Sequence, residues 1–242
     1  MLNIRLEVKR TLIPFSLLGA LVLLITANLY AEDGVGTLAA EATIYENQTG
    51  NNGGGDSDVC VGNLATTGAT RRAFIRWNLP AIPSGSVITR VQLVITQVDV
   101  RTMGDGPLTA TLELRRVTQG WTEGTGSGSG NGPCGGGSNV AGVDWSNAPA
   151  VNASVSATEA LPSTENQVIT MDTDVGTDDD ILISDLQFWV DNPADIFGWR
   201  LEVSEEATAD NARRITPGTL TVSWTEPVDP DLIFANGFET TP

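Results

Sequence analysis

Apolar and polar side chains alternate with a period of two residues in five segments of this 242-residue chain. In residues 71–79 (RRAFIRWNL), Ile75 and Trp77 share one face, whereas arginine side chains take the other. Successive side chains of a strand point to opposite sides, so half-buried antiparallel strands produce this pattern. The other four segments are residues 87–98, 108–117, 198–204 and 218–224. The sequence therefore predicts an all-β fold with Trp77 and Trp224 in its core.

One stretch departs from the two-residue period. In DDDILISDLQFWVDNP, Ile183, Leu186 and Val190 fall at helical spacing, acidic residues fill the start, and an Asn-Pro pair gives a stop. We expect a short helix that covers an end or a face of the sandwich. Trp189 and Trp199 flank the turn from this helix to the next strand, and we expect them to pack there.

The charged residues exclude several classes of function. The chain has no histidine, which removes Ser-His-Asp triads, Cys-His pairs and histidine metal ligands. Beyond residue 31 the chain also has no lysine. It has ten arginines and 29 acidic residues there, which gives this part a net charge of −19. Binding to nucleic acid through a basic stripe is therefore not expected.

The first 31 residues have the pattern of an export signal. A basic start that includes Lys9 and Arg10 precedes an uncharged, mostly apolar run from residue 11 to Ala31, where cleavage is expected. The alternative is an uncleaved anchor, because 21 uncharged residues are long enough to span a bilayer. We expect a secreted or cell-surface protein that has no membrane span after cleavage.

Export has a consequence for the two cysteines. An oxidising compartment favours a disulfide between Cys60 and Cys134. A reactive cysteine is the alternative, but it needs cationic neighbours that this chain poorly supplies. Residues 120–142 contain ten glycines, so we expect a mobile surface loop that is restrained only near Cys134.

Four sequence blocks resemble a known family. They are RRAFIRWNLPAIPSGSVITRVQLVI, VTQGWTEGTG, VDWSNAP and LQFWVDNPADIFGWRLEVSEEA followed by LTVSW. From about Glu41 to Glu226 the chain resembles the DNRLRE-domain family of secreted bacterial proteins, which is related to carbohydrate-binding modules. The resemblance implies an antiparallel β-sandwich of jelly-roll type with one short helix, and an extracellular, non-catalytic role. We place the domain at residues 42–226, after a lead at 32–41 and before a tail at 227–242 that contains LIFANGFE.

Aromatic and arginine side chains are the candidate ligand-binding residues. An exposed indole or phenol ring can stack on a sugar, and Trp121, Trp145 and Tyr45 are the best candidates. Arg72 and Arg116 belong to arginine pairs and can form forks for the carboxylates of an acidic polysaccharide. The alternatives are structural: the rings pack the fold, and the arginines pair with the abundant acids.

The acidic string MDTDVGTDDD suggests a structural calcium site. Carboxylate oxygens are the ligands that calcium prefers. The proposed ligands are Asp172, Asp174, Asp178 and Asp180, with Asp179 beside them. A second possible position is near Asp56 and Asp58. The alternative is an acidic helix start that favours the helix dipole.

An enzyme would have to rely on two carboxylates acting on a glycoside. Acids near the recognisable blocks are Glu113, Glu123, Asp144 and Glu202, and no sequence feature pairs any two of them. The sequence therefore favours a non-catalytic module that binds polysaccharide or a cell-surface glycan. The alternative is a structural or adhesive surface protein without sugar specificity.

Overall fold

The computed structural model describes residues 31–64, 69–101, 110–128, 134–174 and 180–227. The predicted signal and tail lie outside these residues, apart from Ala31 and Pro227. The described elements are listed here in chain order: β1 (Ala31–Tyr45), β2 (Val59–Asn63), β3 (Thr70–Asn78), β4 (Val87–Arg101), β5 (Ala110–Arg116), β6 (Ala157–Leu161), β7 (Gln167–Asp172), α1 (Asp180–Asp191), a 3-10 turn (Pro193–Asp195), β8 (Trp199–Val203) and β9 (Ala212–Thr225).

The strands form two antiparallel sheets that share two strands. Their hydrogen-bonded order is β6-β5-β8-β3-β1-β9-β4-β7, and β2 pairs with both β3 and β9. The first residues of β1 pair with β9, and its later residues pair with β3. We call β7-β4-β9 the first sheet and β6-β5-β8-β3 the second sheet, with β1 and β2 crossing from one to the other. The predicted all-β antiparallel sandwich is confirmed.

The core lies between the sheets and follows the predicted alternation. Val91, Leu93 and Ile95 of β4 are buried, and so are Leu112 and Leu114 of β5. Full burial of such side chains contributes about 1.5–3 kcal/mol each. The predicted core positions of Trp77 and Trp224 are confirmed, because their exposed fractions are 2% and 6%.

The predicted lead at residues 32–41 does not precede the first strand but forms most of it. Two glycines and the exposed acids Glu32 and Asp33 hide in this stretch the alternation that marks the other strands. Residues 31–36 nevertheless pair with β9, and backbone pairing needs no apolar side chain. The described domain therefore begins earlier than the sequence indicated.

Helix α1 packs on the core through Leu182, Leu186 and Trp189, which confirms the predicted helix. Its Asp185 is also buried and accepts hydrogen bonds from Ser156 (2.6 Å) and the Trp199 indole (2.9 Å). Arg116 lies 2.9 Å from the same carboxylate. Burial raises the pKa of Asp185, whereas these three partners oppose that rise. This network fixes the helix against β5 and β8.

The predicted disulfide between Cys60 and Cys134 is confirmed. It joins β2 to the glycine-rich segment, and both cysteines are buried. The expectation that this segment is restrained only near Cys134 is wrong for its described parts. Asn52 is fully buried, and its side-chain amide donates to the Val140 carbonyl (3.0 Å) and accepts from the Gly126 N–H (3.0 Å).

The glycines of this segment allow its close approach to Asn52. A Cβ atom at Gly126 would lie 2.1 Å from the Asn52 carbonyl oxygen, and one at Gly137 would lie 2.2 Å from it. Asp56 accepts a further hydrogen bond from the Gly128 N–H (2.7 Å). The glycines thus serve packing here, whereas the sequence suggested that they serve flexibility.

Candidate binding groove on the second sheet

The outer face of the second sheet carries arginine and glutamate side chains on three adjacent strands. In β3, Arg72, Phe74 and Arg76 alternate with core residues. The pairing of β5 with β8 sets Glu113 opposite Glu202 and Arg115 opposite Arg200, and all four side chains are oriented away from the core. Like charges are therefore directly opposite one another, and the contacts between opposite charges run along the diagonal from Arg115 to Glu202 or between residues two apart on one strand.

The chain between β5 and β6 covers one part of this face. Trp121 packs on Phe74 with ring centroids 5.6 Å apart, and its indole N–H donates to the Phe197 carbonyl (2.7 Å). Around these rings lies a small second core, which comprises Ala42, Ile44, Phe74, Val117 and Val143. Phe74 is thus fully buried although it lies on the outer side of its sheet.

The uncovered part of the face forms an open polar groove of about 370 Å³. We call it the polar groove. Its lining side chains that bear hydrogen-bonding or charged groups are Arg72, Glu113, Arg115, Asn152, Arg200, Glu202, Ser204 and Glu206. Three guanidinium groups thus face three carboxylates, so the groove carries no net charge from these side chains.

Every arginine of the polar groove is paired with a carboxylate. Arg72 donates two hydrogen bonds to Glu206, at 2.8 and 2.7 Å. Arg115 bridges Glu202 (2.6 Å) and Glu113 (2.7 Å), and Arg200 also contacts Glu202 (2.6 Å). Hydrogen bonding to Glu206 raises the pKa of Arg72 further above its ordinary value. The pairing that the sequence offered as the structural interpretation of these arginines is therefore present.

Trp145 lies beside the polar groove and Trp121 lies beyond it. The Arg72 guanidinium carbon is 4.8 Å from the centroid of the Trp145 ring, and that of Arg76 is 5.4 Å from Trp121. Both distances fall within the range of cation–π contacts. Both tryptophans are half-buried, so each retains some accessible surface but has a guanidinium over its ring.

The other two predicted ligand-binding residues lie elsewhere. Tyr45 is fully buried, with the Arg71 guanidinium 4.8 Å from its ring centroid, so the exposure expected of it is wrong. Arg116 points away from the groove, toward helix α1. There it pairs with Asp185, and its guanidinium carbon lies 4.1 Å from the centroid of the Phe188 ring. Neighbouring residues of a strand face opposite sides, which separates Arg116 from Arg115. Of the five predicted residues, Arg72 contacts Trp145, and Trp145 and Trp121 pack against the same small second core.

The predicted calcium ligands are only partly described. Asp178 and the side chain of Asp180 lie outside the described part of the structure. Asp172 accepts hydrogen bonds from Arg90 (2.9 Å) and Gln92 (2.6 Å), and Asp174 lies 3.1 Å from Arg90. Hydrogen bonding to Arg90 lowers the pKa of Asp172. The guanidinium thus occupies carboxylate oxygens that the calcium hypothesis assigns to the ion.

The second suggested calcium position has partners from the protein too. Asp56 accepts from the Ser127 hydroxyl (2.8 Å), and Asp58 lies 3.5 Å from Arg214. Among the residues that the structure describes, no group of three or more Asp, Glu, Cys or His side chains is arranged to hold a metal ion. A calcium site therefore stays a prediction.

The four acids considered for catalysis are not arranged as one set. Glu113 and Glu202 share Arg115 in the polar groove. Glu123 accepts from the backbone N–H of Glu41 (2.8 Å), and Asp144 accepts from the backbone N–H of Ser146 (2.7 Å) within a turn.

Within the described ranges, no helix has the length and apolar character needed to cross a membrane.

Several groove residues were missed at the sequence level. The ligand-binding candidates from the sequence do not include Arg200, Glu206 and Asn152, because these residues come from separate parts of the chain and form no recognisable ligand-binding motif. The strand alternation around Arg200 was a usable signal, since it places this residue on the same face as Glu202. Position 206 lies in the turn after β8, and no periodicity extends into it.

Comparison of the sequence with protein-family models and with curated proteins finds no match. The resemblance to DNRLRE-domain proteins therefore stays a prediction that rests on the four sequence blocks alone.

Proposed function

We propose that this chain is an exported, non-catalytic module that binds an uncharged polysaccharide in the polar groove. One observation carries the proposal: three arginines and three glutamates line an open groove and neutralise one another. Sugar hydroxyls both donate and accept hydrogen bonds, so they suit a surface that offers planar donors beside carboxylate acceptors. The resemblance to the DNRLRE-domain family points to the same class of ligand.

The charge balance selects between neutral and acidic polysaccharides. A uronate would have to compete with Glu206 for Arg72 and with Glu202 for Arg115. It would also approach a chain whose exported part carries a net charge of −19. An uncharged sugar displaces only water from these pairs, and Trp145 offers an apolar edge beside them.

A glycan array with calcium present tests the proposal. We expect the purified chain to bind one or more neutral polysaccharides, such as β-glucan, xylan or mannan, and to bind alginate and polygalacturonate more weakly. The variant Ala153→Trp fills the groove from an exposed position and should lower neutral-glycan affinity at least tenfold. Ala141→Trp, at an exposed position not among the groove-lining residues, is the control and should bind as wild type.

Two outcomes would contradict the proposal. If the wild-type chain bound no polysaccharide, the alternative of a structural or adhesive surface protein would replace it. If both tryptophan variants bound as wild type, carbohydrate binding would have to lie outside the polar groove.

A further inference from the structure

A second opening lies between the end of β3 and the end of α1. We call it the apolar cleft. It has a volume of about 480 Å³, within the range of small-molecule sites. Eight of its ten lining side chains are apolar, and they include Leu79, Ile82, Trp189 and Ile196. The two polar ones are Arg76 and Asn78.

Arg76 differs from the arginines of the polar groove. It is half-buried and stacks near Trp121, but no described carboxylate lies within salt-bridge distance of it. By contrast, described salt bridges engage other arginines throughout the domain: Arg72, Arg90, Arg115, Arg116, Arg200 and Arg214. A guanidinium that is partly withdrawn from water and lacks a carboxylate partner attracts an anion.

Two tryptophans contribute to the wall of the cleft. Trp77 and Trp189 are buried, with exposed fractions of 2% and 1%. Their rings belong to the apolar part of the lining, which suits the apolar body of a ligand.

We infer that the apolar cleft binds a small organic anion, with its apolar body against Leu79, Ile82 and Ile196 and its carboxylate or sulfonate on Arg76. The positive charge of Arg76 favours an anionic group at one end of the ligand, and the apolar side chains of the cleft favour an apolar body. The inference is independent of carbohydrate binding, because the apolar cleft and the polar groove have no lining residue in common.

The aromatic sulfonate 1-anilinonaphthalene-8-sulfonate is the test probe, and N-phenyl-1-naphthylamine supplies nearly the same body without charge. We expect the sulfonate to bind the full chain with increased emission and with quenching of tryptophan fluorescence. The uncharged probe should bind at least tenfold more weakly. Because the chain is strongly acidic, general electrostatic attraction will not produce this preference.

Substitutions at Arg76 identify the site. Arg76→Gln should weaken sulfonate binding at least tenfold and leave the uncharged probe unchanged, whereas Arg76→Lys should retain most of the preference for the anion. The matched control is Arg90→Gln, which removes a half-buried arginine outside the cleft and should bind as wild type. If Arg76→Gln failed to fold, Ile82→Trp would still test the site, because it fills the cleft and should weaken the binding of both probes at least tenfold. Equal binding of both probes, or an unchanged Arg76→Gln variant, would overturn the inference.

Discussion

Glu41 illustrates what a single buried carboxylate does in this domain. It lies on β1 with 7% of its surface exposed, and one of its carboxylate oxygens has no described hydrogen-bond partner. Burial raises its pKa from 4.5 to about 7, and the charges of Glu123, Asp58 and Asp56 add to the rise. The sequence did not indicate this, because Glu41 stood at the boundary of a stretch expected to precede the domain.

The raised pKa predicts a pH dependence of stability. Between pH 4.5 and about 7 the folded state binds a proton at Glu41 that the unfolded state has released. The free energy of unfolding should therefore fall as pH rises through this window, by on the order of 2 kcal/mol from this residue. Glu41→Gln should remove this part of the slope, measured by urea unfolding at pH 4.5, 6 and 8.

The exposed Glu165 supplies the control, since Glu165→Gln should leave the slope unchanged. If Glu41→Gln retained the full wild-type slope between pH 4.5 and 7, another group would have to be responsible.

Individual side chains also show which features strand alternation can predict and which it cannot. The alternation correctly placed Trp77 in the core and Arg72 on the outer face of β3. It could not show that Phe74, on that same outer face, is buried beneath Trp121. Alternation decides which side of a sheet a residue occupies, but the segment that covers that side comes from a distant part of the chain.

At the scale of elements, the long alternating strands were predictable and the short or irregular ones were not. The five alternating segments correspond to β3, β4, β5, β8 and β9. The five-residue β2 is buried throughout and gives no two-residue pattern. The polar groove depends on β5, β8 and the turn after β8, so its composition could be predicted only in part.

The glycine-rich segment gives a prediction about this element. Gly137→Ala should destabilise the domain by more than about 2 kcal/mol, because the added methyl would lie 2.2 Å from the Asn52 carbonyl oxygen and force a backbone shift. Urea unfolding under non-reducing conditions measures the change.

Gly120→Ala is the matched control, because its methyl would meet only the Phe197 ring at 3.5 Å. Its effect should stay within about 0.5 kcal/mol, as for ordinary surface substitutions. Equal unfolding midpoints for Gly137→Ala and wild type would mean that the segment is not held on Asn52.

At the scale of the whole molecule, the disulfide adds a covalent constraint to the strand pairing. Cys60 and Cys134 are 74 residues apart, so their bond should stabilise the fold by about 4 kcal/mol on the loop-entropy estimate. Reduction should lower the midpoint of urea unfolding accordingly. A Cys60→Ala/Cys134→Ala variant should show a similar loss and no further response to reductant.

Mass analysis under non-reducing conditions gives the accompanying check on the bond itself. Free thiols in the folded chain, or a variant whose unfolding midpoint equals that of the oxidised protein, would contradict this role.

The pairing of β1 with β9 determines how the domain would respond to a pulling force. Ala31 pairs with Thr225, so the described chain enters and leaves the first sheet side by side. Tension applied at these two points would separate β1 from β9 one residue pair at a time. Each step would break only one or two backbone hydrogen bonds, which contribute about 1 kcal/mol each. The domain should therefore yield at low force along this direction, even where its chemical stability is high.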